Sequence, residues 1–416
     1  MIKKILVSFC LLVSLVSLAQ EGTSSPYSFY GIGDVRFRGT LEFRSMGEIA
    51  VEQDSIHMNL QNPASYAHLR LTTFALGGTQ YTTKLKSDSN SASARRTALD
   101  YLAVGLPLGK FGVGFGLIPY SSVGYKINSE SSDPAVNSRR FDGKGGMNKV
   151  FFGLAYKITP TFSIGADVNY NFGKIESNNF EYVNDVAIGT RELNTADLSG
   201  VNFNAGLMYQ RKLNKKLSLF SSVTYSLEST LTAQNTRNIA TALYNSNFDI
   251  AIVDVLDEQV SERKLQIPSK YVAQVGIGQA RKWLFGVGYT MQDAGSLANS
   301  YNALANVSYE KASKYTVGGY YIPNYNSFST YAKRIVYRGG FRYENTGLVI
   351  NSQAVNDAAL TLGVGMPLSG TLSNINIGLE FGQRGTTKSN LVQENYANVS
   401  IGFSLNDRWF QRRKFD

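Results

Sequence analysis

Apolar and polar residues alternate with a period of two from about residue 73 to the end of this chain, and no other feature constrains its fold as tightly. Phe162, Ile164, Ala166, Val168, Tyr170 and Phe172 alternate with Ser163, Gly165, Asp167, Asn169 and Asn171. Val399, Ile401, Phe403 and Leu405 alternate with Ser400, Gly402 and Ser404. Successive side chains of an extended strand point to opposite faces, so each run has one apolar face and one face of Gly, Asn and Ser. Two architectures accept that pattern: a soluble sandwich with the apolar face inward, or a membrane barrel with it outward. Lengths separate them. The runs span about 10 to 15 residues, against the usual 5 or 6 of globular strands, and a tilted membrane-crossing strand needs about 9 to 11. The connections also alternate in length. Short turns fall near 108–110, 159–160, 214–215, 281–282 and 368–370, and long loops near 85–97, 127–144, 177–197, 229–268 and 293–312. Short periplasmic turns facing long outer loops mark an outer-membrane barrel.

The strands predicted from this pattern are 73–84, 98–107, 111–126, 146–158, 161–176, 198–213, 216–228, 269–280, 282–292, 313–322, 333–344, 347–367, 371–384 and 394–406. The fold class is therefore all-β, a transmembrane antiparallel β-barrel of about 14 strands, and an even number returns both ends to one side. The twelfth span is long and contains Asn356-Asp357, so a bulge or an extra turn is expected there; the connection at 323–332 is long for a periplasmic turn. The 25 Tyr, 23 Phe and 39 Gly suit interfacial girdles and close packing on strands.

The N-terminus sets the compartment. Lys3 and Lys4 precede an apolar run at 5–18, and Ser17-Leu18-Ala19 has small residues where a signal peptidase cuts. Residues 1–19 read as a signal peptide, with the mature chain starting at Gln20. Cys10, the only cysteine, lies inside that run, so the mature chain is expected to carry no thiol, disulfide or lipid anchor. Loss of Lys3 and Lys4 lowers the net charge from +10 to +8, which suits anionic lipid headgroups of the outer membrane. An exported chain with no clustered basic motif is not expected to bind nucleic acid.

Residues 20–70 break the alternation with Pro26, Gly31, Gly33, Gly39 and Gly47. Their apolar side chains, among them Phe29, Tyr30, Ile32, Phe37, Leu41 and Phe43, need burial. The expectation is an N-terminal hatch folded into the barrel lumen, with a periplasmic tail as the alternative; residues 71–416 form the barrel with a short basic C-terminal tail.

No constellation points to catalysis, a metal or a cofactor. His57 and His68 are the only histidines. Asp54 and Ser55 adjoin His57, but neighbours in sequence rarely converge as a triad, and Asp54-Ser55 reads as a turn. No Cys or His cluster has zinc spacing. Asp254, Asp257 and Glu258 in the long loop read as a solvated face. The pairs Gly145-Gly146, Gly318-Gly319 and Gly339-Gly340 are not phosphate loops, since no helix follows them. Two features are more specific. Asn62-Pro63-Ala64 stands just before the first strand, where proline turns the chain into the barrel. Pro119, in Ile118-Pro119-Tyr120, lies in the third strand and removes a ladder donor, so it marks either a bulge or gap, or a strand that has already left the membrane.

Ser25-Pro26-Tyr27-Ser28, Tyr30-Gly31-Ile32-Gly33-Asp34, Arg44-Ser45-Met46-Gly47 and Asn62-Pro63-Ala64-Ser65-Tyr66, with Tyr343-Glu344-Asn345-Thr346-Gly347 and Asn406-Asp407-Arg408-Trp409-Phe410 near the end, carry a resemblance. The chain resembles the FadL-like family of long-chain fatty acid transport proteins, in the branch common in Bacteroidota. The resemblance implies a fourteen-stranded outer-membrane barrel with an N-terminal hatch. It implies passive uptake of hydrophobic compounds such as long-chain fatty acids through a lateral gap at a kinked third strand. Ile118, Pro119 and Tyr120 match the kink, and Asn62, Pro63 and Ala64 the hatch–barrel junction. Partners implied are outer-membrane lipids and hydrophobic small molecules. The alternative is a structural or accessory barrel subunit of a larger outer-membrane secretion complex, with an outer-membrane protein partner gripped by the loop at 229–268.

Overall fold

The computed structural model describes residues 22–131, 136–184, 186–244, 250–293, 306–327 and 329–409. The expected signal peptide, Cys10, most of the loop at 293–312 and the basic tail lie outside the described residues. Eighteen strands follow one another: β1 (Asp34–Val35), β2 (Thr72–Lys86), β3 (Ser91–Leu108), β4 (Phe111–Ser129), β5 (Ser138–Thr159), β6 (Phe162–Tyr182), β7 (Ile188–Lys212), β8 (Ser218–Ser226), β9 (Ser229–Tyr244), β10 (Ile250–Ile267), β11 (Lys270–Gln279), β12 (Trp283–Gln292), β13 (Val307–Tyr309), β14 (Ala312–Tyr321), β15 (Val336–Ile350), β16 (Gln353–Pro367), β17 (Asn374–Arg384) and β18 (Gln393–Asp407). Fourteen of them, β2 to β8, β11, β12 and β14 to β18, make an antiparallel wall. It closes on itself where β18 pairs with β2 from Gln393–Lys86 to Asp407–Thr72.

The faces are those of a membrane barrel. On β6 the polar Ser163, Asp167, Asn169 and Asn171 are buried, while Ile164, Val168 and Tyr170 are exposed. Polar-in and apolar-out is the reverse of a soluble sandwich, because the solvent of the outer face is hydrocarbon. Aromatic rungs border the apolar belt. Trp283, Tyr321 and Tyr337 are register neighbours near the turns, and Tyr289, Tyr315 and Tyr343 form a second rung six positions further along. Such side chains place an apolar ring in lipid and a polar tip at the headgroups.

All fourteen predicted strands are present, and most are longer than their alternation suggested. β5, β6 and β7 run for 22, 21 and 25 residues. Since about 9 to 11 residues cross the bilayer, much of the sequence expected as loops at 85–97, 127–144 and 177–197 is strand that continues beyond the membrane. The loop at 229–268 is a hairpin, β9–β10, whose β9 adds to the outer part of β7. Asp254, Asp257 and Glu258 lie on β10. The extra turn expected near Asn356-Asp357 is instead at Asn351-Ser352. Both of these residues have positive φ, 50° and 60°, as a two-residue hairpin turn that follows strand twist requires. Asn356 and Asp357 stay in register with Asn345 and Glu344, and the irregularity falls between Asn345 and Val349.

Candidate functional site

Residues 22–71 lie inside the barrel, and the inner wall is shaped to receive them. A row of inward glycines runs from strand to strand at their level. A Cβ on Gly165 of β6 would stand 2.5 Å from Ala64 N, and one on Gly363 of β16 2.5 Å from Ser45 Cβ. Met46 and Gly47 press in the same way on Gly318 of β14 and Gly340 of β15. The glycines are there for close backbone approach.

Polar wall residues then satisfy the backbone of a segment with little regular structure of its own. Tyr101 Oη accepts from Leu41 N, Thr361 Oγ1 from Gly47 N and Gln274 Oε1 from Ala50 N, while Ser404 Oγ donates to Ile56 O. Asn62 does most. Its Oδ1 caps the 3-10 turn Pro63–His68 by accepting Ala64 N. Its Nδ2 donates to Leu207 O, Ser222 Oγ and Val223 O, at 3.0, 2.8 and 3.2 Å, bridging β7 and β8. Ala64 O accepts from Ser163 Oγ, which also meets His68 Nε2.

A buried ion network ties the segment to β14–β18. Arg38 pairs with Glu344 at 2.7 Å and Asp357 at 3.1 Å, and Glu48 pairs with Lys314 and with Arg38. Arg342, 2% exposed, reaches Asp357 at 3.2 Å and Glu380 at 2.8 Å. Tyr396 Oη accepts from Arg342 and donates to Asp357. Burial alone raises a carboxyl pKa, yet the three cations around Glu48 hold it below its usual range. Sequence reading missed this network. Its only signal was the recurrence of charges of both signs at polar-face positions of the last four strands.

Among the described residues the wall has one interrupted seam. β3 pairs with β4 only from Leu102–Leu117 to Leu108–Phe111. Beyond that, residues 91–101 pair with β2 alone, and the outer part of β4 pairs with β5 and with the two residues of β1. A register irregularity stands on each side. Asp100 is extra between Gly77 and Gly78 of β2, and Tyr120 is extra between Pro119 and Ser121. Proline has no donor for a ladder, and Pro119 lies just past the last paired residue of this seam. Ile118 is buried in a cluster with Tyr66, Ala67 and Tyr101. That cluster joins the Ile118-Pro119-Tyr120 stretch to the turn that begins at Asn62-Pro63-Ala64. Tyr120 O accepts from Arg36 N. A cavity of about 690 Å³ opens at the seam, lined by Phe37, Leu99, Pro119, Ser122, Met147 and Asn148 among others.

At the turn end of the barrel a second cavity, of about 850 Å³, separates residues 42–57 from the wall. There Asp54 Oδ1 accepts from Ile56 N and His57 N, and its Oδ2 lies 2.7 Å from His57 Nδ1. Burial would raise Asp54, but His57 and these donors lower it to about 2; burial would lower His57, and Asp54 raises it instead. Ser55 is not hydrogen-bonded to His57 among the described residues, and its carbonyl accepts from Arg70 N. Among the described residues no group of three His, Cys, Asp or Glu is arranged for a metal.

A family model described as BamG matches residues 1–416. No curated protein matches the chain. Solved structures share the fold. The Pseudomonas putida toluene transporter TodX superposes with a TM-score of 0.59 at 15% identity, over 91% of this chain and 99% of that one. The CymD monoaromatic hydrocarbon channel gives 0.57 at 13%, over 92% and 100%. A Pseudomonas aeruginosa FadL homologue gives 0.58 at 11%, over 89% and 99%.

Proposed function

The chain belongs to the BamG family, and from the geometry of its wall we propose an outer-membrane channel that admits hydrophobic compounds, long-chain fatty acids among them, sideways through the β3–β4 seam. The observation that carries this reading is the unpaired outer part of that seam beside Pro119, with its cavity of about 690 Å³. A solute entering there avoids the polar outer leaflet, and no energy source is needed for movement down a gradient. Ile118, Pro119 and Tyr120 hold the gap open; Asn62, Pro63 and Ala64 anchor residues 22–70 as a hatch. The seam lining is mixed, with Asp100 and Lys174 beside Phe37 and Leu99, which suits a solute with a polar head. The structural neighbours, a toluene transporter and a monoaromatic hydrocarbon channel, agree with a hydrophobic cargo, and the terminal motifs support the Bacteroidota-type branch. Ala98 lines the cavity, and Ala98→Trp places a ring in it. It is expected to cut uptake of labelled long-chain fatty acid at least tenfold in cells lacking other uptake routes. Unchanged uptake with normal barrel levels defeats the proposal.

A second reading, an accessory barrel subunit of a larger outer-membrane complex, has its own observation. Along β10 only one edge is paired among the described residues, with β9. Val253, Val255, Leu256 and Val260 are exposed, Val260 by 75%. An edge of 18 residues with apolar side chains in water is normally covered or blunted. This reading predicts a high-mass assembly in mild detergent that is lost when the hairpin is shortened, and migration of the intact chain as a lone monomer counts against it.

A further inference from the structure

The cavity at the turn end collects polar atoms that the fold leaves without partners. Glu42 Oε2, His57 Nε2 and Arg334 Nε are buried, make no hydrogen bond and all line it. His57 is nine-tenths buried, and its other ring nitrogen is committed to Asp54. Three orphans in one place are uncommon, since buried polar groups almost always find partners. Arg338 stands beside them, donating to Asn376 Oδ1 at 2.9 Å, while Asn376 Nδ2 donates to Glu42 Oε1 at 2.8 Å.

The mouth of this cavity is basic. Arg70, Lys157, Lys212, Arg281 and Arg334 line it, and none of the five forms a salt bridge among the described residues. Arg281 and Arg334 lie over the rings of Tyr325 and Tyr331 at 5.1 and 5.2 Å. These contacts hold the guanidinium planes and leave their N–H edges free for an oxyanion. Behind the mouth the lining turns apolar, with Phe43, Met46, Ile49, Val51 and Leu284. We propose that this vestibule binds an amphiphile with a carboxylate or phosphate head, the head seated between Arg281 and Arg334, which both pack on the connection that carries Tyr325 and Tyr331, and the chain laid against the apolar lining, with His57 and Glu42 taking a polar group at its inner end. Two cationic forks and a concave apolar wall suit such a ligand better than a bare anion, which gains nothing from the wall, or a neutral lipid, which leaves the cations unpaired.

This site lies at the opposite end of the hatch from the seam and does not depend on how solutes enter there. Full-length chain in nanodiscs is titrated calorimetrically with dodecyl phosphate, dodecanol and inorganic phosphate, with empty discs as reference. Dodecyl phosphate is expected to bind one per chain, with dodecanol and inorganic phosphate each at least tenfold weaker. Arg281→Gln with Arg334→Gln, which removes both guanidinium forks and keeps amides of similar size, is expected to weaken dodecyl phosphate at least tenfold. Ala98→Trp is expected to leave it unchanged, so a failure of lateral uptake and a failure of this site are told apart. No binding above empty discs, equal binding of inorganic phosphate or of dodecanol, or indifference to the double variant overturns the proposal.

Discussion

Single side chains hold residues 22–71 by satisfying groups that this segment cannot satisfy itself. Asn62 is the clearest, and Asn62→Ala leaves the carbonyls of Leu207 and Val223 without its donor and Ala64 N without a cap. A cost of about 2 kcal/mol in denaturant unfolding from lipid vesicles is expected. Arg342→Met removes the ion-pair partner of buried Glu380 and leaves Asp357 with Arg38 alone, and about 3–5 kcal/mol should be lost. The His57–Asp54 pair makes stability depend on pH. His57 is raised, so its share is full below its free value of about 6.5 and fades as pH rises through the higher folded value. Asp54 is lowered to about 2, so its share is full above about 3.9 and fades as pH falls toward 2. The stability gap between the natural chain and Asp54→Asn should therefore be widest from about pH 4 to about 6.5, measured as unfolding midpoints across that range. Of these residues, Asn62 was legible in sequence because the proline beside it marks a turn before the first strand, which is a local signal, although its capping role was not. Arg38 and Glu344 were not, because they stand 306 positions apart.

At the level of elements, the strands were legible because alternation is local, but their outer ends were not. Beyond the membrane both faces meet water or other protein, so the selection that keeps one face apolar stops and the pattern fades into what reads as loop. The β9–β10 hairpin is such a case. The wall is complete without it, since β8 pairs with both β7 and β11. Replacing residues 230–266 by a short turn should therefore leave a folded, heat-modifiable barrel on electrophoresis, with the same resistance to protease at its turn end. A chain that no longer reaches that form would mean the hairpin is part of the barrel's folding core.

The whole molecule is a wall and its filling, each written for the other. Glycines, amides and charges on the inner face are costly for an empty lumen and useful for a filled one, where they match residues 22–71 group for group. Deleting residues 22–70 should leave a barrel whose lumen is polar and unobstructed, with single-channel conductance in planar bilayers well above that of the intact chain. Equal conductance would mean that the segment does not obstruct the path. What the sequence determined alone was the repeat of strands and turns and the side of each strand that faces lipid, because the pleat reverses direction at every residue and needs no distant partner. The open seam, the buried ion network and the cavities described above were decided by tertiary structure. Each depends on the register between strands that meet only when the barrel closes, and on where the N-terminal segment lies against them.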